Sequence, residues 1–181
     1  MKKHASRTLI QPLLCSLALA VLTGCATSAG LSASADLQPT KGNSTSGSVS
    51  FIQSGNQVLV SGEVRGLKPN AEHGFHVHEK GDCSSGDGMS TGGHFNPAGK
   101  PHGPQNTTER HAGDLPSLKA DAQGRVDVKF TLGGLSVGSG AADDVVGKGL
   151  IVHAMPDDYR TQPTGNAGAR IACAVIARHQ P

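Results

Sequence analysis

The amino-acid sequence predicts an all-β protein, a sandwich or barrel built from short antiparallel strands. Residues 58–65 and 125–131 alternate apolar with polar side chains, which is the pattern of a strand that buries one face. No long stretch of the 181 residues has a persuasive helical period, and the chain contains 25 glycines. Short strands separated by frequent turn signals are typical of sandwiches and barrels.

Four further runs are predicted to be strands, because segments rich in glycine, proline and asparagine bound them. They are residues 46–53, 73–79, 149–154 and 170–176. Between the two alternating segments, residues 121–124 (DAQG) predict a hairpin turn.

Two connections, residues 80–113 and 155–169, are too long for simple turns. Long loops on a rigid β scaffold commonly carry binding and catalytic residues. We therefore expect the functional residues in and beside these two loops.

The first 24 residues are predicted to be a signal peptide of the lipoprotein type. Residues 1–8 carry three basic side chains and no acid, and residues 9–22 are short and largely apolar. The sequence LTGC that ends at Cys25 resembles a bacterial lipobox, so we expect Cys25 to be lipidated and to become the N-terminus. The alternative is an ordinary signal peptide that is cleaved nearby.

Residues 25–36 are small and polar, and we expect them to form a flexible tether ahead of one domain at residues 37–181. Lipidation would hold the protein in the bacterial periplasm or cell envelope, since each buried methylene contributes about 0.8 kcal/mol to membrane binding. No later stretch is apolar enough to span a bilayer, so the lipid is the only predicted membrane contact.

The charge of the chain gives no reason to expect a nucleic-acid partner. Without residues 1–24 the chain has 13 basic and 14 acidic residues, so its formal charge is −1. It has no basic run and no stacking aromatic residues of the kind that bind nucleic acids.

The cysteines fit an oxidising compartment. Of the four, Cys15 leaves with the signal and Cys25 is the predicted lipid site. Two cysteines remain in an exported chain, and the simplest interpretation is a disulfide between Cys83 and Cys173.

Histidines cluster in and beside the first predicted loop. Beyond the signal they are His73, His76, His78, His94, His102, His111, His153 and His179. Residues two apart in a strand point to the same face, so His76 and His78 can reach one ion. This clustering predicts metal binding, although His73 and His179 also fit structural or solvated roles.

The ligand types favour copper and zinc. Imidazole suits both metals, and four nitrogens in a roughly planar array favour Cu(II). A histidine–aspartate set that closes a tetrahedron suits structural zinc. His111 and Asp114 lie three residues apart and can chelate one ion through a turn. Spacing alone does not divide the ligands between two sites.

Six motifs together resemble the copper/zinc superoxide dismutase family. They are GFHVHEKGDC, GGHFNP, KPHG, RHAGDLP, LIVHA and GNAGARIACAVI, in the order of the family and across about residues 46–176. The resemblance implies an eight-stranded antiparallel Greek-key sandwich or flattened barrel with two long functional loops.

The resemblance also implies how the ligands are divided. The copper ligands would be His76, His78, His94 and His153, and the zinc ligands would be His94, His102, His111 and Asp114. His94 would serve both ions as a bridging imidazolate, a form that only two flanking cations make plausible near neutral pH.

Supporting residues follow from the same motifs. Asp157 is implied to accept the free ring N–H groups of His76 and His102, which would fix both orientations. Arg170 is implied to hold a small anion beside the open copper face. Thr164 matches the residue that narrows the channel mouth. The Cys83–Cys173 disulfide would tie the first loop to the last long strand.

The implied activity is that of a superoxide dismutase, with Arg170 and His94 as catalytic residues. Two superoxide anions and two protons would become dioxygen and hydrogen peroxide by alternating reduction and oxidation of a bound copper ion. The alternative is a non-catalytic copper/zinc-binding or metallochaperone-like protein on the same fold. No Cys-x-x-Cys transfer module is present. Monomer and homodimer both remain open, as does how the short loop 155–169 steers the anion.

Overall fold

The computed structural model describes Met1 and residues 31–178, and nearly all its regular structure is β. The strands are β1 (Ser32–Pro39), β2 (Ser46–Ser54), β3 (Gln57–Arg65), β4 (Glu72–His73), β5 (Phe75–His78), β6 (Leu118–Lys119), β7 (Val126–Gly133), β8 (Gly149–His153), β9 (Arg170–Val175) and β10 (Ala177–Arg178). In the described ranges the one helical element is a single 3-10 turn at Met89–Thr91.

Eight strands form one curled antiparallel sheet in the order β5-β8-β9-β1-β2-β3-β7, with β10 also pairing with β1. The short strands β4 and β6 form a separate antiparallel ladder. Strand β9 returns by a long connection to lie beside β1, and the resulting order β9-β1-β2-β3 is that of a Greek key. The predicted all-β, eight-stranded antiparallel fold is confirmed.

The core lies inside the curled sheet and comes from alternate residues of its strands. On β3, Val58, Val60 and Val64 are fully buried. They face partners across the ladders: Val60 pairs with Phe51 on β2 and with Phe130 on β7. The alternation in the sequence therefore marks the buried face of both strands, as cross-strand apolar pairs require.

The domain begins earlier than the sequence predicts. Residues 32–36, expected in the flexible tether, belong to β1 and pair with β2. Ala33 and Ala35 are fully buried. Their small side chains alternate with polar ones, so alanines occupy inward positions of this strand. The remainder of the tether, 25–30, lies outside the described residues.

The predicted turn forms with the two backbone hydrogen bonds of a short hairpin loop. Gly124 N–H donates to the carbonyl of Asp121 at 3.1 Å, Asp121 N–H donates to the carbonyl of Arg125 at 2.9 Å, and the turn connects β6 to β7. These two strands pair with β4 and β3 respectively. The partner of β7 is thus β3, the other alternating segment, whose paired residues lie 62 to 76 residues earlier in the chain.

Two connections carry the predicted long loops. The first loop (79–117) joins β5 to β6, and the second loop (154–169) joins β8 to β9. A disulfide between Cys83 and Cys173 ties the first loop to β9, as predicted, across a sequence separation of 90 residues. The backbone N–H of Lys41 also donates to Gly86 in this loop at 2.8 Å.

Several predictions fall outside the described part of the chain. These are the signal peptide at 1–24, the lipidation of Cys25 and the role of His179. Among the described residues, no helix is long and apolar enough to cross a membrane.

The contribution of β1 can be tested by truncation. A chain that begins at residue 37 should be less stable by several kcal/mol than one that begins at residue 31. It loses five of the six β1–β2 pairs between Ser32 and Leu37, and each net hydrogen bond contributes about 0.5–1.5 kcal/mol. Chemical denaturation measures the difference, and equal midpoints for the two chains would contradict this account of β1.

Candidate metal centre

Strand β5 supplies the middle of a buried histidine cluster. His76 and His78 are completely buried on this strand. The backbone of the first loop runs along β5: Val77 N–H donates to Gly113 at 2.9 Å, and Phe95 N–H donates to Val77 at 2.8 Å. These bonds hold the neighbouring residues His94 and Asp114 beside the two histidines of the strand.

His153 reaches the same cluster from the end of β8. The pairing register of β8 and β9 shifts between Val152 and His153, so that His153 lies opposite Arg170. Irregularities of this kind commonly re-aim side chains next to active sites. Here the shift places the imidazole of His153, 4% exposed, among the other histidines.

Four histidines form the first ligand set, His76, His78, His94 and His153, whose ligating atoms lie within 4.8 Å of one another. In each ring one nitrogen is buried and has no hydrogen-bond partner in the described part of the chain: Nδ1 of His76, and Nε2 of His78, His94 and His153. Buried polar atoms are normally paired. Four unpaired nitrogens in one place are explained by a shared metal ion.

The other ring nitrogens of this set are occupied, which fixes the orientation of each ring. His78 Nδ1–H donates to Gly92 O at 3.0 Å, and His153 Nδ1–H donates to Gly168 O at 3.1 Å. A carbonyl only accepts, so both rings carry their proton on Nδ1 and present the Nε2 lone pair. This is the arrangement that orients metal-binding histidines in proteins.

The second ligand set consists of His94, His102, His111 and Asp114. Asp114 Oδ1 lies 2.8 Å from Nδ1 of His94, 3.0 Å from that of His102 and 3.3 Å from that of His111. Four ligands about 2.0–2.1 Å from one tetrahedral zinc ion are separated by about 3.3 Å. The spacing of this set therefore fits a tetrahedral zinc ion.

Asp114 is held by its other oxygen. Oδ2 accepts the backbone N–H groups of His111 at 2.9 Å and Gly103 at 3.2 Å. His102 Nδ1 is buried without a hydrogen-bond partner even though Oδ1 is nearby. The two atoms thus point toward a common position rather than toward each other.

His94 belongs to both sets. Its Nε2 faces the four-histidine set and is unpaired, whereas its Nδ1 lies 2.8 Å from Asp114 Oδ1. Nδ1 of His94 also lies 3.3 Å from Nδ1 of His111. One imidazole ring therefore separates, and can connect, two metal positions.

Asp157 links the two sets from the second loop. Its Oδ2 accepts a hydrogen bond from His76 Nε2 at 2.8 Å, and its Oδ1 accepts one from His102 Nε2 at 2.9 Å. The backbone N–H of Tyr159 donates to Oδ1 at 2.7 Å. The structure thus brings Asp157 to the two histidines to which the family resemblance assigned it.

Burial keeps most rings of the four-histidine set neutral. It lowers the pKa of His94 to about 4, although the hydrogen bond to Asp114 acts in the opposite direction. Burial likewise lowers the pKa of His153 to about 3 and holds the pKa of His78 well below its usual value. Neutral imidazole is the form that binds metals.

His102 differs because two carboxylates contact its ring. Burial opposes its protonation, but the negative charges of Asp114, 3.0 Å from Nδ1, and Asp157, hydrogen-bonded to Nε2, outweigh burial and raise its pKa to about 9. Burial also works against ionisation of both carboxylates, yet hydrogen bonds from the histidines hold the pKa of each far below the usual range. Without metal, the ring of His102 is therefore protonated on both nitrogens and positively charged near neutral pH.

Arg170 lies at the start of β9, next to the four-histidine set. Its guanidinium donates to the carbonyls of Gly88 and Gly92, both at 2.7 Å, and to Thr91 Oγ1 at 2.8 Å. His78 Nδ1 contacts the same Gly92 carbonyl and the same hydroxyl, at 3.0 and 3.2 Å. The positive charge of Arg170 is thus held next to the ring of His78, because both side chains contact the carbonyl of Gly92 and the hydroxyl of Thr91.

Sequence reasoning missed three residues that support the ligands and Arg170. Gln162 bonds both backbone groups of His102, and Thr91 joins His78 to Arg170. Gly165 packs against the contact between Asp157 and His102. Neither spacing nor residue type marks these positions.

The structure also locates Thr164 and His73, two residues that the sequence analysis singled out. Thr164, predicted at the channel mouth, is half-buried beside Gly165. His73, for which the sequence allows a structural role, donates from Nδ1 to His153 O at 2.8 Å. His73 therefore supports the backbone of a ligand and belongs to neither ligand set.

Comparison with known families gives one match to most of the chain. The family model described as copper/zinc superoxide dismutase (SODC) matches residues 45–176. Superoxide dismutase [Cu-Zn] 2 of Aquifex aeolicus is 41% identical over 149 residues, which cover 81% of this chain and 86% of that protein. The superoxide dismutase-like protein YojM of Bacillus subtilis is 44% identical over 113 residues, 61% of this chain and 58% of its own.

Solved structures agree with the fold. The clock protein EA4 superposes with a TM-score of 0.75 at 37% identity, covering 82% of this chain and 95% of that one. A double mutant of a SOD-like protein from Bacillus subtilis superposes with a TM-score of 0.70 at 37% identity, over 80% of this chain and 96% of that one. Together with the two ligand sets, these matches identify copper and zinc as the metals of the centre.

Gly165 offers a test of the link between the sets. A Cβ at this position would overlap Asp157 Oδ1 and lie 2.6 Å from His102 Nε2. Gly165→Ala should therefore break their hydrogen bond and weaken retention of both metals. The matched control is Gly42→Ala, because Gly42 has a similarly positive φ of 82° but a Cβ there would meet no atom within 4 Å. Metal content after dialysis measures the effect, and equal retention in the two variants would contradict it.

Proposed function

The chain belongs to the copper/zinc superoxide dismutase family, and we propose that it is itself a superoxide dismutase. In this reaction two superoxide anions and two protons give one dioxygen and one hydrogen peroxide. The observation that carries the proposal is the pair of complete ligand sets that share His94, with the guanidinium of Arg170 beside one of them.

The proposal assigns each set to a metal by its donor chemistry. The four-histidine set offers only imidazole nitrogens, which suit copper in both of its oxidation states. The second set offers three imidazoles and one carboxylate in tetrahedral spacing, which suits zinc. Bound copper would supply the one-electron chemistry, while zinc would supply a fixed charge on the far side of His94.

Arg170 accounts for an anionic substrate. Its guanidinium is held by three hydrogen bonds to Gly88, Thr91 and Gly92, so its position does not depend on the substrate. A fixed guanidinium can hold a small anion by charge-assisted hydrogen bonds without first being ordered. We assign it the role of holding superoxide beside the four-histidine set.

His94 can handle one of the two protons that the reaction consumes. Its Nε2 faces the four-histidine set and has no other partner among the described residues. A proton taken up at this atom after the first superoxide is oxidised can be delivered when the second is reduced. Solvent supplies the other proton, so that protons and electrons balance over the two halves of the cycle.

The alternative function is a non-catalytic copper/zinc-binding or metallochaperone-like protein on the same fold. One relative that is 44% identical is named only as superoxide dismutase-like. Catalysis requires an anion site in addition to the ligands, and the fixed guanidinium of Arg170 supports our assignment of one. The two functions are therefore separated by turnover and not by metal content.

We also propose that the protein is exported to the periplasm or cell envelope and anchored through a lipid on Cys25. The support is the basic, then apolar, then LTGC order of residues 1–25. Mass spectrometry of the protein purified from its cells should find an acylated Cys25 at the N-terminus. An unmodified N-terminus beyond Cys25 would contradict this proposal.

Substitution of Arg170 tests the catalytic proposal. Arg170→Ala, loaded with one copper and one zinc per chain, should remove superoxide roughly tenfold more slowly at low superoxide, because a hydrogen bond to a charged group contributes about 1.5–3 kcal/mol. Arg125→Ala is the matched control, since Arg125 pairs with Glu63 on the exposed face of the sheet. Pulse radiolysis measures the rates. Equal rates for Arg170→Ala and the parent protein would remove Arg170 from the mechanism. A parent protein that is inactive when loaded with both metals would refute the proposal that the protein is an enzyme.

The pKa of His102 predicts a difference between the two metals. Zinc must displace the proton that His102 holds with a pKa of about 9, so zinc affinity should fall as the pH decreases below that value, by up to about tenfold per unit. His94 and His153, with pKa values of about 4 and 3, are neutral at neutral pH, so each can bind copper through its unprotonated Nε2 without losing a proton; the Nδ1 proton of His94 is lost only when both metals bind. Copper affinity should therefore vary less between about pH 6 and pH 8. Competition titrations with chelators measure both slopes, and equal slopes would contradict this assignment.

A further inference from the structure

Among the ligands, His102 lies in a part of the first loop without regular structure. By contrast, His76 and His78 lie on β5, and His94 and Asp114 form isolated bridges to that strand. Something other than the sheet must therefore fix the backbone of His102 if its Nδ1 is to meet the second ligand set.

The side chain of Gln162 performs this role in the structure. Its Oε1 accepts the backbone N–H of His102 at 2.8 Å, and its Nε2 donates to the backbone carbonyl of His102 at 2.8 Å. These are the two hydrogen bonds that a neighbouring strand would make with one residue. In the described part of the chain, the amide of Gln162 is the one partner of both backbone groups.

The ring of His102 is held from the same direction. Its Nε2 donates to Asp157 Oδ1 at 2.9 Å, which leaves Nδ1 as the unpaired atom. Asp157 and Gln162 both belong to the second loop, whereas His102 belongs to the first. Backbone and ring of this one ligand are thus fixed by two side chains from another loop.

We propose that Gln162 is a positioning residue for zinc, which couples zinc binding to the conformation of the second loop. With the amide in place, His102 is preorganised and zinc does not have to order its backbone. Since coupling between two binding equilibria is reciprocal, zinc bound through His102 also stabilises the second loop that carries Asp157 and Thr164. This inference rests on the proposed assignment of His102 to zinc and not on superoxide turnover.

Gln162→Met tests the inference, because methionine keeps the length of the side chain and removes both hydrogen bonds. Loss of a partner that orients a metal ligand typically weakens metal binding by about 10- to 100-fold. We expect zinc to bind about tenfold more weakly in this variant, with copper affinity and the unfolding temperature of the metal-free protein little changed. The matched control is Gln123→Met, since Gln123 is exposed in the turn before β7.

Competition with a chromophoric chelator measures both affinities, and hydrogen exchange measures the coupling. Zinc should slow exchange of the amides of Asp158, Thr161 and Gly165, which are hydrogen-bonded within the second loop, in the parent but much less in Gln162→Met. Unchanged zinc affinity in the variant, with normal zinc binding by the parent, would overturn this inference alone. A parent that does not bind zinc would overturn the metal assignment as well. An equal loss of zinc and copper would show general loosening and would also overturn it.

Discussion

The imidazole of His94 faces two ligand sets at once, and the positions of the other ligands follow from this constraint. Each set must converge on a different nitrogen of one buried ring. Strand β5 makes this possible because it carries His76 and His78 and is flanked by the backbone next to His94 and Asp114. The curled sheet thus positions one ligand set at each nitrogen of the His94 ring.

Such a buried polar cluster is costly unless its atoms are paired. Two carboxylates reduce this cost in the metal-free protein, since Asp114 contacts the second set and Asp157 connects both. Within the two ligand sets, the buried nitrogens that remain unpaired are those that would face the metals. The loops that carry these groups are fixed by connections of different kinds: the Cys83–Cys173 disulfide, and the amide of Gln162 on the backbone of His102.

The strands could largely be predicted from the sequence because alternation reports which side chains face the core. The prediction was wrong where the inward side chains were alanines, as in β1. The histidines could be identified as a metal centre by residue type and spacing. Their division into two sets came from the family resemblance, and the geometry agrees with it. The contacts of Gln162 could not be predicted, because a side chain that bonds backbone groups leaves no pattern in the sequence.

The most direct test of the shared ring is a crystal structure of the protein loaded with copper and zinc, with anomalous diffraction recorded at both metal edges. The account predicts copper bonded to Nε2 of His94 within the four-histidine set, and zinc bonded to Nδ1 of the same ring together with Asp114. Copper and zinc on separate, unshared ligands, or both metals competing for one set while the other remains empty, would contradict it.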